Sequence, residues 1–223
     1  FAAACAESPP YLVNSPFGCD FRARSPSAPF PWFPAILRIA DDATRNRILE
    51  TGDAIQYTTG MNPFSLLVKP TSADCNLRCR YCFYLEKAEI YPDSRRHRMS
   101  DAVLERMIAS YLETKQPCHA FGWQGGEPTL MGLDFFKRVT DLQSSIGRPG
   151  TIVANGFQTN GVLLDDDWAK HFAQYNFLVG VSVDGPAKIH DRFRVDAGGR
   201  GTHSRVLAGI GALRRNGAEF NVL

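Results

Sequence analysis

From Phe64 onward the apolar positions follow two periods in turn. Short apolar runs at 64–68, 119–123, 151–158, 177–183 and 219–223 are bounded by turn residues and predict strands. Helical stretches lie between them. Ser100 is placed to cap a helix whose apolar face is Val103, Leu104, Met107, Ile108, Tyr111 and Leu112. Leu133, Phe136, Val139, Leu142 and Ile146 give the next helix a similar stripe. Asp165, Asp166 and Asp167 make an acidic helix start, favoured by the macrodipole, ahead of Trp168 and Phe172. A fourth helix spans 202–216, with Arg214 and Arg215 in its last turn and Gly217 positioned to end it. Strands alternating with helices predict an α/β chain of parallel strands joined by crossover helices.

Residues 1–60 break this pattern. Seven of the chain's fourteen prolines lie between Pro9 and Pro34, mixed with Ser, Ala and Arg, and neither period survives there. Such a segment buries too little apolar surface to offset its ordering entropy, so it is expected to be an irregular extension, with one short helix near 42–50. The expected domain organisation is therefore a Pro-rich extension at 1–60 and a core domain at 61–223.

The 223 residues, 44% of them hydrophobic, suffice for a buried core. A formal charge of +2 and the lack of a dense Lys/Arg block argue against a nucleic-acid or anionic-membrane surface. No apolar run reaches the roughly 18 residues of a membrane helix, and the first residues lack the pattern of a signal peptide, so a cytoplasmic protein is expected.

The chemistry concentrates in D-C-N-L-R-C-R-Y-C-F-Y, where Cys75, Cys79 and Cys82 form a C-x3-C-x2-C run. Three thiolates in eight residues can hold three corners of a 4Fe-4S cluster and leave the fourth iron open to another ligand. Zinc would need a fourth ligand, for which His97 and Cys118 are the nearest candidates, although Cys118 fits a small buried residue better. A disulfide would close a very small loop and strand an odd thiol.

Further motifs follow the later strands. Gln124-Gly125-Gly126-Glu127-Pro128 comes after the second; its glycines let backbone approach a ligand, and Glu127 offers a carboxylate to an ammonium group, though taken alone the two glycines fit an ordinary tight turn better. Gln158-Thr159-Asn160-Gly161 either lines a pocket or forms an Asn-Gly turn. Ser182-Val183-Asp184-Gly185-Pro186, with His190 and Arg194 beyond, joins a hydroxyl to a guanidinium fork suited to a carboxylate. Asp184 and His190 fit loop bracing better than an acid–base pair.

These motifs, in this order, resemble the radical S-adenosylmethionine enzymes, and C-N-L-R-C-R-Y-C-F-Y resembles their anaerobic sulfatase-maturating branch. The resemblance implies a partial (β/α) barrel, here ending after about five strands, with Met61 resembling the usual beginning. It implies a 4Fe-4S cluster on Cys75, Cys79 and Cys82, and S-adenosylmethionine held by Tyr81 beside the adenine, by Gly125, Gly126 and Glu127 at the amino group, and by Ser182 and Arg194. Gln124 and Tyr84 are implied substrate contacts. The implied reaction is oxidation of a Cys or Ser of a sulfatase polypeptide to formylglycine by a 5'-deoxyadenosyl radical, with flavodoxin or ferredoxin as electron donor. The family's proton acceptor and cysteine-rich C-terminal domain would lie beyond Leu223. A peptide maturase forming thioether or carbon–carbon crosslinks and a non-catalytic Fe-S or zinc module remain alternatives.

Overall fold

The computed structural model describes residues 63–90 and 96–223. The helix expected near 42–50, the start at Met61 and the extension 1–60 lie outside the described residues. The described elements run β1 (Leu66–Val68), α1 (Asp101–Leu112), β2 (His119–Trp123), α2 (Leu133–Ile146), β3 (Val153–Thr159), α3 (Asp166–Gln174), β4 (Leu178–Val181), α4 (Ala187–Phe193), α5 (His203–Arg215) and β5 (Glu219–Val222), with 3-10 turns at Glu86–Ile90 and Pro128–Met131. All five strands are parallel and lie in sequence order, β1-β2-β3-β4-β5. A strand order that never reverses, joined by crossovers of one hand, keeps the helices on one face and winds the sheet toward a barrel.

The register explains the core. Val68, Trp123, Phe157, Val179 and Phe220 are successive partners across the strands, so one row of side chains faces the helices. Onto it pack Leu104, Ile108, Phe136, Val139, Trp168, Phe172, Val206 and Leu213, all essentially buried. Phe136 and Phe157 meet edge to face at 4.9 Å, and Trp168 and Phe172 extend the aromatic layer. A buried polar network interrupts this layer: Asn155 Oδ1 accepts from Trp123 Nε1 and Gln143 Nε2, and Asn155 Nδ2 donates to Gln143 Oε1. The opposite face carries Ala120, Gly122, Ala154, Gly156, Gln158 and Gly180, mostly small and, along β3, only half-buried.

The helix signals act as expected. Ser100 caps α1 by accepting from Val103 N, and Asp165 caps α3 by accepting from Asp167 N and Trp168 N. Gly217, at φ +70°, ends α5 in a Schellman motif: Ala218 N donates to Leu213 O and Gly217 N to Arg214 O. Two expectations need correcting. Val103 lies at the solvent edge of α1, 54% exposed, because the buried stripe is Leu104, Ile108, Tyr111 and Leu112. The strands are shorter than expected, since pairing begins only at Leu66 and Leu178.

Candidate functional site

Every singled-out motif lies at the C-terminal end of a strand or on the loop that leaves it. The cysteine loop follows β1 and is fixed on two sides. On one, Gly126 N donates to Ser72 O and Glu127 N to Asp74 O, both at 2.8 Å. A Cβ on Gly126 would fall 2.0 Å from Asp74 O, so only glycine permits this approach. On the other, Arg78 N donates to Val195 O at 2.7 Å and Arg80 N to Phe193 O at 2.9 Å. Within the loop, Cys82 N donates to Cys79 O.

Asp74, unmarked in the sequence reading, anchors the start of this loop. Its carboxylate accepts from His97 N and Arg98 Nη1 at 2.7 Å, and His97 Nδ1 lies 2.9 Å away. Burial pushes the Asp74 carboxyl up, but the His97 and Arg98 hydrogen bonds outweigh it and hold it below its ordinary value. His97, a candidate zinc ligand in the sequence, is thus engaged with Asp74. Cys118 is half-buried at the opposite end of the strands, just before β2.

The three thiols are free. Cys75 Sγ accepts from Leu77 N at 3.3 Å and from Asn160 Nδ2 at 3.7 Å, and burial pushes its thiol up to about 12. Burial also raises Cys79, while the nearby Arg194 partly opposes this. Among the described residues no three His, Cys, Asp or Glu side chains gather as ligands of a single metal ion. The donor set fits a cluster: thiolates this desolvated are stable only beside a strong positive centre, and bound iron provides one. N–H groups directed at the Cys75 sulfur are the kind that tune such a centre.

Glu127 differs from its sequence-based expectation. It is fully buried, its Oε1 accepting from Thr129 N, Thr129 Oγ1 and Thr159 Oγ1 and its Oε2 from Asn160 N. Its carboxylate therefore ties the turn after β2 to the end of β3, and burial pushes its pKa up despite these bonds. Gly125, at φ +124°, and Gly126 leave the backbone of this turn half-buried beside the cysteine loop, and the Gln124 side chain is half-buried too. Asn160 makes the turn: its Oδ1 accepts from Val162 N in an Asx-type turn, and its Nδ2 donates to Asn76 Oδ1 at 2.8 Å, tying the end of β3 to the cysteine loop.

After β4, Ser182 Oγ accepts from Gln158 Nε2 at 3.0 Å. Asp184 accepts from Arg194 Nε at 2.7 Å and from Tyr81 Oη at 2.6 Å. Burial raises the Asp184 carboxyl, but these two donors hold it low. Arg194 makes its ion pair through Nε, so its two terminal nitrogens make no hydrogen bond among the described residues. The Tyr81 ring packs against Phe193 at 6.2 Å and under the Arg194 guanidinium at 5.5 Å. Burial and the Asp184 bond raise the Tyr81 phenol. Tyr84 contacts Phe83, with Lys69 Nζ 5.3 Å from its ring centre. His190 braces this loop, Nδ1 accepting from Asp184 N and Nε2 lying 3.0 Å from Thr202 Oγ1.

A partial parallel barrel that presents three free cysteines, a Gly-Gly turn and a Ser/Arg pair at one end defines a class, and the chain belongs to the radical SAM superfamily, whose profile matches residues 70–223. Among its relatives, the serine-type anaerobic sulfatase-maturating enzyme of Bacteroides thetaiotaomicron is 41% identical over 171 residues, 76% of this chain and 41% of that protein. The cysteine-type enzyme of Clostridium perfringens is 41% identical over 163 residues, 73% of this chain and 44% of that protein. The solved structure of native anSMEcpe with bound AdoMet superposes with a TM-score of 0.66 at 41% identity, covering 72% of this chain and 43% of the other. A further structure of that enzyme, with AdoMet and a peptide, gives 0.65 at 40% identity, covering 72% of this chain and 42% of the other. The chain spans less than half the length of these relatives.

Proposed function

We propose that residues 61–223 form the cluster-bearing core of an anaerobic sulfatase-maturating enzyme. Cys75, Cys79 and Cys82 hold a 4Fe-4S cluster, and the adjoining rim binds S-adenosylmethionine. The observation that carries this reading is the fixing of one three-cysteine loop against both the Gly-Gly turn and the segment that bears Arg194. When bound, the cluster supplies the electron that breaks the sulfonium carbon–sulfur bond, yielding the radical that takes hydrogen from a substrate carbon.

The chain's own residues prepare this event. Arg194, aimed by Asp184, keeps two donors for a carboxylate, and the Ser182 hydroxyl, with its oxygen occupied by Gln158, can donate beside it. The backbone carbonyls of Gly125 and Gly126 accept from the ammonium group, and Glu127 holds those glycines in place from behind. Tyr81 shapes the adenine side. The small side chains of the sheet face opposite the packed helices leave room for an extended polypeptide, with Gln124 and Tyr84 at its entrance. The substrate is a sulfatase segment bearing the Cys or Ser to be oxidised, and the setting is the reducing cytoplasm, with a low-potential electron donor.

The test is anaerobic incubation of the reconstituted protein with S-adenosylmethionine, reductant and a sulfatase peptide containing that Cys or Ser. An aldehyde on the peptide is expected. A thioether or carbon–carbon crosslink would move the assignment to the peptide maturases, and an unmodified peptide alongside S-adenosylmethionine cleavage would contradict the proposed substrate.

A further inference from the structure

We infer that the outer face of the cysteine loop, centred on Arg78 and Arg80, docks a small acidic electron-carrier protein that delivers the electron the cluster requires. This rests on the function proposed above. Residues 77–80 run beside 193–196, joined by the Arg78 and Arg80 amide bonds and a bridge between Leu77 and Asp196. Successive residues of an extended segment point to opposite sides. Leu77 and Cys79 are accordingly buried, and Arg78 and Arg80 are exposed. The same ribbon turns a thiol inward and two guanidinium groups outward, one backbone apart.

That outer face presents three exposed arginines, Arg78, Arg80 and Arg192, although the chain carries only +2 overall. The Arg78 and Arg80 side chains make no ion pair or hydrogen bond among the described residues, and exposed Arg192 stacks on Phe193, whose carbonyl receives Arg80 N. The neighbouring acids are engaged internally: Asp184 by Arg194 and Tyr81, Asp196 by Arg200 and Arg205, and Asp191 by His203 N. Beside these cations the loop exposes Phe83 at 69%, an aromatic anchor of the kind found at interface centres.

Charge favours an acidic partner, because opposed fields raise the encounter rate of short-lived complexes. Position favours an electron carrier over the substrate. A substrate must reach Gly126, Ser182 and Arg194 on the inner side of the loop, whereas Arg78 and Arg80 cover its back. One electron leaves the carrier's reduced flavin or iron–sulfur centre and enters the cluster; the carrier is oxidised by one electron, and no bond or proton need move.

The test titrates the anaerobically reconstituted protein with an acidic flavodoxin by calorimetry, comparing wild type with Arg78→Glu/Arg80→Glu and Arg78→Lys/Arg80→Lys. Charge reversal should weaken binding at least about tenfold, and added salt should weaken the wild type but not the reversed variant. The lysine variant should bind within about threefold of wild type, since it keeps the charges. Release of 5'-deoxyadenosine driven by dithionite, a small reductant that needs no docking, should stay within about twofold in both variants at unchanged iron content. Unchanged flavodoxin binding on charge reversal overturns the inference. So does loss of sulfatase-peptide affinity with flavodoxin affinity intact, which would give this face to the substrate. If wild type binds flavodoxin through these arginines yet dithionite releases no 5'-deoxyadenosine, the docking face stands and the proposed function fails.

Discussion

Four donors converge on the Glu127 carboxylate from two separate stretches of chain, Thr129 and Thr159–Asn160. Glu127→Ala leaves them buried and unpaired, and unfolding in denaturant should show a loss of about 3 kcal/mol. Glu127→Gln should lose less, because it keeps an acceptor for Thr129 and Thr159 while turning an amide toward Asn160 N. His171 makes a second residue-level prediction. Burial holds its imidazole down at about 4 from an ordinary 6.5, and among the described residues its Nε2 has no hydrogen-bond partner. The folded state therefore binds this proton less readily than the unfolded chain does. Its contribution is complete above pH 6.5 and is lost as pH falls from 6.5 toward 4, amounting to roughly 3 kcal/mol. His119 and His190 are lowered in the same sense, also by burial first, so the acid slope is shared. Melting curves of His171→Phe between pH 7.5, about one unit above that window, and pH 4.5, near its lower end, should slope less than wild type; an unchanged slope would contradict the assignment. The cysteine motif was readable from sequence because its ligands are local. The tie from the Glu127 carboxylate to Thr159 and Asn160 and the Asp74 contacts with His97 and Arg98 were not, because those partners lie 23 to 33 residues away.

Between elements, two glycines with different surroundings separate packing from conformation. Gly126→Ala drives a methyl into Asp74 O and should part the cysteine loop from the turn after β2, so reconstituted iron should fall well below wild type. Gly132→Ala meets nothing within 4 Å, but sits at φ +83°, and should cost only about 1 kcal/mol with iron content preserved. Ser100→Ala removes the α1 cap, with an expected loss of about 1 kcal/mol and no change in iron. The long helices and the strands were legible because each holds its apolar period for several residues. Helix α4 was not, since Pro186 begins only seven residues of which His190 alone is buried. No stripe marks it, yet it carries the loop from Asp184 round to Arg194.

For the molecule as a whole, the sequential parallel strand order collects four loops at one end, so residues more than a hundred positions apart meet: Tyr81 and Asp184 are 103 residues apart and hydrogen-bonded at 2.6 Å. The strand–helix alternation made the fold class legible, while the cross-loop bonds emerge only once the barrel is wound. The most direct measurement of the central claim is anaerobic reconstitution of the protein with iron and sulfide, followed by dithionite and S-adenosylmethionine. About four irons per chain and release of 5'-deoxyadenosine are expected, both abolished by Cys79→Ala. A protein that takes up zinc in place of iron, or that loads iron and leaves S-adenosylmethionine intact, would contradict the account.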